Sequence, residues 1–255
     1  MLFRQPSLLS AGALVVALLA PATRAAEPVR ARHGLVVSQH YLASQVGFDV
    51  LAAGGNAVDA AVAAAFALAV VHPAAGNVAG GGFLVYRPPQ GEPVAYDFRE
   101  TAPAGASPGM FLKDGVYDEK RHHEGHLSVG VPGSVAGLHM AWKEHGRLPW
   151  RRLLEPAVSL AREGFVVSDE LARSLAGVLP AMKAYPASLA QFSRKGHAYE
   201  VGDLLRQPDL ARTLERIAER GPDGFYGGET ARLIAKEIKA GGGLLTEADL
   251  AAYQA

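Results

Sequence analysis

Residues 54–73, reading Gly-Gly-Asn-Ala-Val-Asp-Ala-Ala-Val-Ala-Ala-Ala-Phe-Ala-Leu-Ala-Val-Val-His-Pro, restrict the fold more than any other stretch. Gly54 and Gly55 stand where a preceding helix should end, and Asn56 followed by Asp59 forms an N-cap with an acidic partner in the first turn. The next helix therefore starts at Ala57. Between Ala57 and Val71 the only polar residue is Asp59, placed where a carboxylate meets the positive end of the helix dipole. Proline cannot continue the hydrogen-bond ladder, so His72-Pro73 ends it. At about 1.5 Å per residue the helix is roughly 22 Å long, too short for a bilayer core of roughly 30 Å. Apolar on every face and rich in alanine, it reads as a central helix, buried nearly all round and packed against strands at 83–87 and 93–99.

The glycine-dense turn after this helix, Gly80-Gly81-Gly82, invites comparison with phosphate-binding loops. The order is wrong for one. Such loops run from strand to glycines to helix, so that the helix N-terminus faces phosphate. Here the helix comes first. The glycines are read instead as permitting close backbone approach or a positive φ.

The chain has 255 residues with 25 Lys+Arg against 25 Asp+Glu and no cysteine. That length can bury a real core, and the balanced charge favours neither a nucleic-acid nor a membrane-surface partner. Disulfides and thiolate chemistry are excluded. At the N-terminus Arg4, the apolar run Leu8 to Leu19 and small residues at Ala20, Ala22 and Ala25 have the layout of a secretory signal. Residues 1–26 are accordingly expected to be removed, leaving 27–255 as the exported part, periplasmic or secreted.

Gly34 to Ser38 reads as a short strand, followed by a helix from Tyr41 to Ala53. Phe83 to Arg87 and Val94 to Arg99 are rich in β-formers and are joined by a turn-like Pro88-Pro-Gln-Gly-Glu92, which predicts a hairpin. From Gly105 to Glu124 the chain is polar and turn-rich. A helix then reaches His145, and further helices are expected over 153–162, 169–179, 208–220 and 229–240. Thr246-Glu-Ala-Asp249 is a capping box that opens a last helix at Glu247. Strands early and helices late suggest an α+β arrangement with a helix-rich C-terminal half.

The candidate chemistry is sparse. Ser134 enters a helix as a nucleophile elbow would, but Pro132-Gly-Ser-Val-Ala136 is not G-x-S-x-G, and a serine supporting the helix start is favoured. His123-Glu-Gly-His126 is one residue short of a helical zinc motif and contains a glycine, so a solvated loop is favoured over a metal site. His72 and His139 stand alone and read as structural. Arg99, at a strand end beside a loop, offers a planar fork suited to a carboxylate, though on the residues alone an ion pair with Asp97, Glu100 or another acid is favoured.

Taken together, Gly54-Gly-Asn-Ala-Val-Asp-Ala-Ala-Val62, His72-Pro73, Gly80-Gly-Gly-Phe83, Asp97-Phe-Arg-Glu100 and Ala102-Pro103 resemble the large subunit of γ-glutamyltransferases (glutathione hydrolases). The likeness continues in order through Gly130-Val-Pro-Gly-Ser-Val-Ala-Gly137, Gly221-Pro-Asp-Gly-Phe-Tyr226 and Gly243-Leu-Leu-Thr-Glu-Ala-Asp-Leu250. The resemblance implies part of an N-terminal-nucleophile hydrolase, an αββα sandwich made as a proenzyme that cuts itself in two. It implies γ-glutamyl transfer or hydrolysis on glutathione and γ-glutamyl amides, through an ester on the threonine that heads the small subunit. Acceptors would be water, amino acids or peptides; no cofactor or metal is implied. Arg99 looks like the arginine that grips the glutamyl α-carboxylate, with Glu100 supporting it.

No threonine of this chain fits the nucleophile: Thr23, Thr101, Thr213, Thr230 and Thr246 have leader or structural readings. No catalytic residue is therefore expected within it. The chain is read as a large-subunit fragment, inactive alone, with the small subunit of the same precursor as partner. Its strands should then present unpaired edges. Two alternatives stay open: a related acylase of the same fold, taking cephalosporin or glutaryl side chains, and a non-catalytic exported binding module.

Overall fold

Asn56 closes the capping box that its spacing predicts: its side chain accepts from the Asp59 amide at 3.0 Å, and Asp59 accepts from the Asn56 amide at 2.9 Å. From that cap α2 (Ala57–Val71) runs to His72, after α1 (Tyr41–Ala52). The computed structural model describes residues 28–255; the expected signal segment lies outside the described residues. Gly34–Ala255 forms one unit.

Eleven of the fifteen residues of α2 are buried. The exceptions beyond its first residue, Ala61, Ala65 and Leu68, lie on one line at helical spacing and face a groove. α2 packs principally on α1 and on α5 (Trp150–Glu163), and less on α4 (Ser134–His145), rather than on the strands. Alanine explains the partners: its small side chain lets helix backbones approach closely, whereas the two strands it was expected to meet rest on α4.

Those strands are β1 (Phe83–Tyr86) and β2 (Val94–Asp97), antiparallel with Phe83 opposite Asp97 and Tyr86 opposite Val94. Leu84 and Tyr86 turn toward the core, while Phe83 and Val85 are 62% and 75% exposed. Gly34 to Ser38, in contrast, is no strand. Only Val36 packs on the core, and the segment pairs with no strand among the described residues.

The excursion at 105–124 is more ordered than its composition suggests. It folds as a small hairpin, β3 (Leu112–Lys113) with β4 (Val116–Tyr117), followed by a one-turn helix, α3 (Glu119–His123). Beyond α5, β5 (Phe165–Val166) pairs with β6 (Leu204–Leu205) around α6 (Asp169–Met182) and α7 (Pro186–Phe192). The chain ends through α8 (Pro208–Arg220), α9 (Asp223–Tyr226), α10 (Gly228–Ala240) and α11 (Glu247–Ala252). Helix-rich and α+β, the fold agrees with the class expected.

α5 buries Trp150, Leu153, Leu154, Ala157, Val158 and Ala161, a 3–4 spacing that lays one stripe on α8 and α2. Two buried polar ties fix that layer. Trp150 Nε1 donates to the Ile217 carbonyl at 2.9 Å, and Gln207 Nε2 donates to the Val70 carbonyl at 2.7 Å.

Asp59 does more than cap. Fully buried, its carboxylate accepts from the Arg147 amide at 3.0 and 3.1 Å and from Leu148 at 3.4 Å, so the α4–α5 turn is anchored on the start of α2.

Candidate functional site

Past β2 the chain stays extended as Phe98-Arg99-Glu100-Thr101 and is gripped on both sides. Phe98 and Gly82 exchange two backbone hydrogen bonds, at 3.0 and 3.2 Å; Thr101 and Val131 exchange two more, at 2.8 and 3.2 Å. Alternation then assigns the side chains. Phe98 goes inward, 7% exposed, and Arg99 goes outward.

The three glycines make this grip possible. None of them has a positive φ. A Cβ on Gly81 would lie 2.5 Å from the Phe98 carbonyl oxygen and 2.8 Å from the Glu100 nitrogen, so close backbone approach is the role of Gly81, whereas a Cβ on Gly80 or Gly82 would meet the Asn77 or Phe98 side chain. Gly80 contributes its carbonyl, which accepts from the Gly133 and Ser134 amides at 2.8 and 2.9 Å and so satisfies the start of α4. Gly81→Ala is expected to wedge the segments apart at a cost of about 1–3 kcal/mol. For a chain of this size that lowers Tm by roughly 2–10 °C, measurable by thermal denaturation.

Arg99 projects over Phe83, its guanidinium carbon 5.9 Å from the ring centroid. Its Nε lies 3.5 Å from Glu100 Oε2, and the side chain is 64% exposed. Asp97 takes the Arg99 backbone amide at 3.0 Å, not the guanidinium. Among the described residues the Arg99 guanidinium makes no hydrogen bond, and the atom it turns to Glu100 is Nε, which leaves the end-on fork open to a planar anion. Glu100 thus lies on the Nε side of the guanidinium. A groove of about 490 Å³ between the Ala61–Leu68 line of α2 and Gly81–Val85 adjoins Phe83 on one flank. A hollow of about 370 Å³ bordered by Glu100, Met110, Phe111 and Leu127 lies on the other.

Two groups from the far end of the chain hold this segment, and neither was suggested by its sequence. The Tyr253 hydroxyl donates to the Arg99 carbonyl at 2.8 Å, and Asp249 Oδ1 accepts from the Ala104 amide at 2.8 Å. Capping-box spacing locates Asp249 but gives no sign of its second partner; nothing local marks Tyr253.

The other candidates disperse. His122 Nδ1 is 2.7 Å from the Tyr117 hydroxyl and the His123 ring lies tilted beside that of His122, whereas His126 turns away to Glu237 at 3.1 Å. His72 caps α2. His139 packs on Trp142 and Trp150, where burial pushes its pKa down. Ser134 is the first residue of α4, bonded through its backbone. Thr213, Thr230 and Thr246 bond local carbonyls or cap a helix, and Thr101 lies in the bridge to Val131.

The family model described as gamma-glutamyltranspeptidase matches residues 43–255. The chain belongs to the γ-glutamyltranspeptidase family. It is 49% identical over 233 residues to the glutathione hydrolase proenzyme of Escherichia coli K12, an alignment that takes in 89% of this chain and 40% of that relative. The crystal structure of Helicobacter pylori gamma-glutamyltranspeptidase superposes with a TM-score of 0.87 at 45% identity, covering 89% of this chain and 66% of that one. A cephalosporin acylase from Bacillus halodurans superposes at 0.76 with 30% identity, over 92% of this chain and 46% of that one. The chain thus spans under half the length of the Escherichia coli relative, and the site described above lies within the matched region.

Proposed function

We propose that this chain forms the substrate-gripping part of an exported enzyme that hydrolyses glutathione and transfers γ-glutamyl groups. The observation that carries the reading is the open fork of Arg99, flanked by Glu100 and seated on a backbone held from both sides. A γ-glutamyl group ends in an α-carboxylate, which two parallel N–H donors fit. In this reading the nucleophile is a threonine outside these 255 residues, at the head of a small subunit cut from the same precursor. Its hydroxyl oxygen attacks the γ-carbonyl carbon, its own α-amino group takes the hydroxyl proton, and that proton leaves with the departing amine. A γ-glutamyl ester remains. Water, an amino acid or a peptide then attacks the ester and restores the hydroxyl. The chain alone is expected to release no product.

Three p-nitroanilides test this on the full-length, processed protein. The γ-glutamyl compound should be turned over far faster than its α-decarboxylated analogue, 4-aminobutyryl p-nitroanilide. Equal rates on the two would overturn the reading. The likeness to a cephalosporin acylase supports a second reading, an acylase of the same fold, and faster release from glutaryl p-nitroanilide than from the γ-glutamyl compound would select it.

Export forms part of the proposal. Among the described residues no helix is long and apolar enough to cross a membrane. N-terminal sequencing of the mature protein should begin between residues 23 and 27; a retained Met1 or Leu8 would refute removal of a signal segment.

A further inference from the structure

We infer that Tyr253, together with α11, is a positioning element for Arg99, so that the last residues of the chain set how well the γ-glutamyl α-carboxylate is held. The inference rests on the carboxylate role of Arg99. Tyr253 lies 154 residues from Arg99 in sequence, yet its hydroxyl donates to the carbonyl of that residue at 2.8 Å. An extended backbone can rotate a peptide plane at little cost when its carbonyl is free, and the side chain rotates with it. A donor on that carbonyl fixes the plane from which the guanidinium projects.

The tyrosine is itself held. Its ring lies parallel to that of Tyr226, with centroids 5.7 Å apart and 4° between planes. Tyr226 is anchored in turn: its hydroxyl donates to the Pro132 carbonyl at 2.9 Å and accepts from the Ala136 amide at 3.3 Å. Gly133 has no side chain because the Phe98 carbonyl and the Tyr253 hydroxyl occupy the space a Cβ would need. Within α11, just ahead of Tyr253, Asp249 accepts the Ala104 amide and the Thr246 amide, both at 2.8 Å, so the segment is tied on either side of Glu100-Thr101. Burial, and then the charges of Asp97 and Glu100, push the Tyr253 hydroxyl above its ordinary pKa, keeping it a donor at neutral pH. Nothing in the contacts of Tyr253 brings it to the open fork itself. It acts through the Arg99 backbone.

The experiment compares, in the full-length processed enzyme, kcat/KM on γ-glutamyl p-nitroanilide with kcat/KM on 4-aminobutyryl p-nitroanilide. Tyr253→Phe keeps the stacked ring and deletes only the donor. It is expected to lower the ratio of the two about three- to tenfold, the size of one lost hydrogen bond, through a higher KM for the γ-glutamyl compound with kcat nearly kept. Asp59→Asn, which loosens the α4–α5 turn and touches none of the groups that hold the arm, should lower Tm and leave the ratio at its wild-type value, showing what lost stability alone does. A wild-type ratio in Tyr253→Phe, alongside a collapsed ratio in Arg99→Ala, would overturn the positioning role and leave the Arg99 reading standing. A wild-type ratio in Arg99→Ala would take both down. Should Tyr253→Phe fail to mature, Asp249→Ala cuts the other tie; an unchanged ratio there would equally overturn the inference.

Discussion

Replacing Arg99 with alanine is expected to reduce kcat/KM for γ-glutamyl p-nitroanilide by tens to thousands of fold while self-cleavage of the precursor continues. The scale follows from what is lost. Truncating one partner of a hydrogen-bonded charge pair that becomes buried on binding costs about 2–5 kcal/mol, because the carboxylate is left unpaired. Each 1.36 kcal/mol is tenfold in rate. Lysine in its place keeps a charge but not the fork, and its ammonium is a compact donor that cannot offer two parallel N–H groups in a plane. Arg99→Lys should therefore recover only part of the loss. The decarboxylated substrate supplies the control, since both variants should turn it over about as well as the unmodified enzyme. If Arg99 serves only as the exposed partner of Glu100, the pattern reverses: KM stays normal, and at most a small stability loss appears, because a pair with 64% and 37% side-chain exposure contributes little.

Asp59→Ala is expected to be the most damaging single change to the fold described here, lowering unfolding free energy by about 3–5 kcal/mol in a denaturant titration. The amides of Asn56, Arg147 and Leu148 all donate to this fully buried carboxylate. Removing it strands those donors away from water and also removes half of the capping box. Asn at the position keeps one acceptor oxygen but presents an NH₂ to the same donors, so Asp59→Asn should fall between. A loss below about 1 kcal/mol in the alanine variant would mean that water or a backbone shift takes over the acceptor role.

Asp59 also shows how far the sequence can be followed. Asn56-x-x-Asp59 ahead of an apolar run announces a cap because both partners lie within three residues. The second role depends on Arg147, 88 residues away, and no local pattern encodes it. The same division recurs along the chain. Thr246 to Asp249 is legible as the start of α11, whereas the Asp249–Ala104 bond is not. α8 was legible from Pro208 to Arg220 because proline and glycine mark its ends. Gly34 to Ser38 has the composition of a strand, but a strand needs a partner, and composition cannot supply one. The partners of α2 were misjudged for a related reason: an all-round apolar helix has no preferred face, so its pattern cannot distinguish packing on helices from packing on a sheet. Arg99 stood out by its place at a strand end, and family likeness added the carboxylate it would grip and the supporting part of Glu100. The open fork became visible only when the structure showed which of the arginine's nitrogens already faced an acid.

The long reach of the two ties has a consequence for the order in which the protein is built. Arg99 is translated 154 residues before Tyr253, and Ala104 is translated 145 residues before Asp249. At a synthesis rate of about 5–20 residues per second, the arm waits roughly 8–30 s for its clamps after it is made. Until then its backbone is held by Gly82, by Asp97 and, once it emerges, by Val131. Both clamps thus form well after the arm itself, and a nascent polypeptide stalled anywhere before α11 would carry Arg99 without either of its two distant ties.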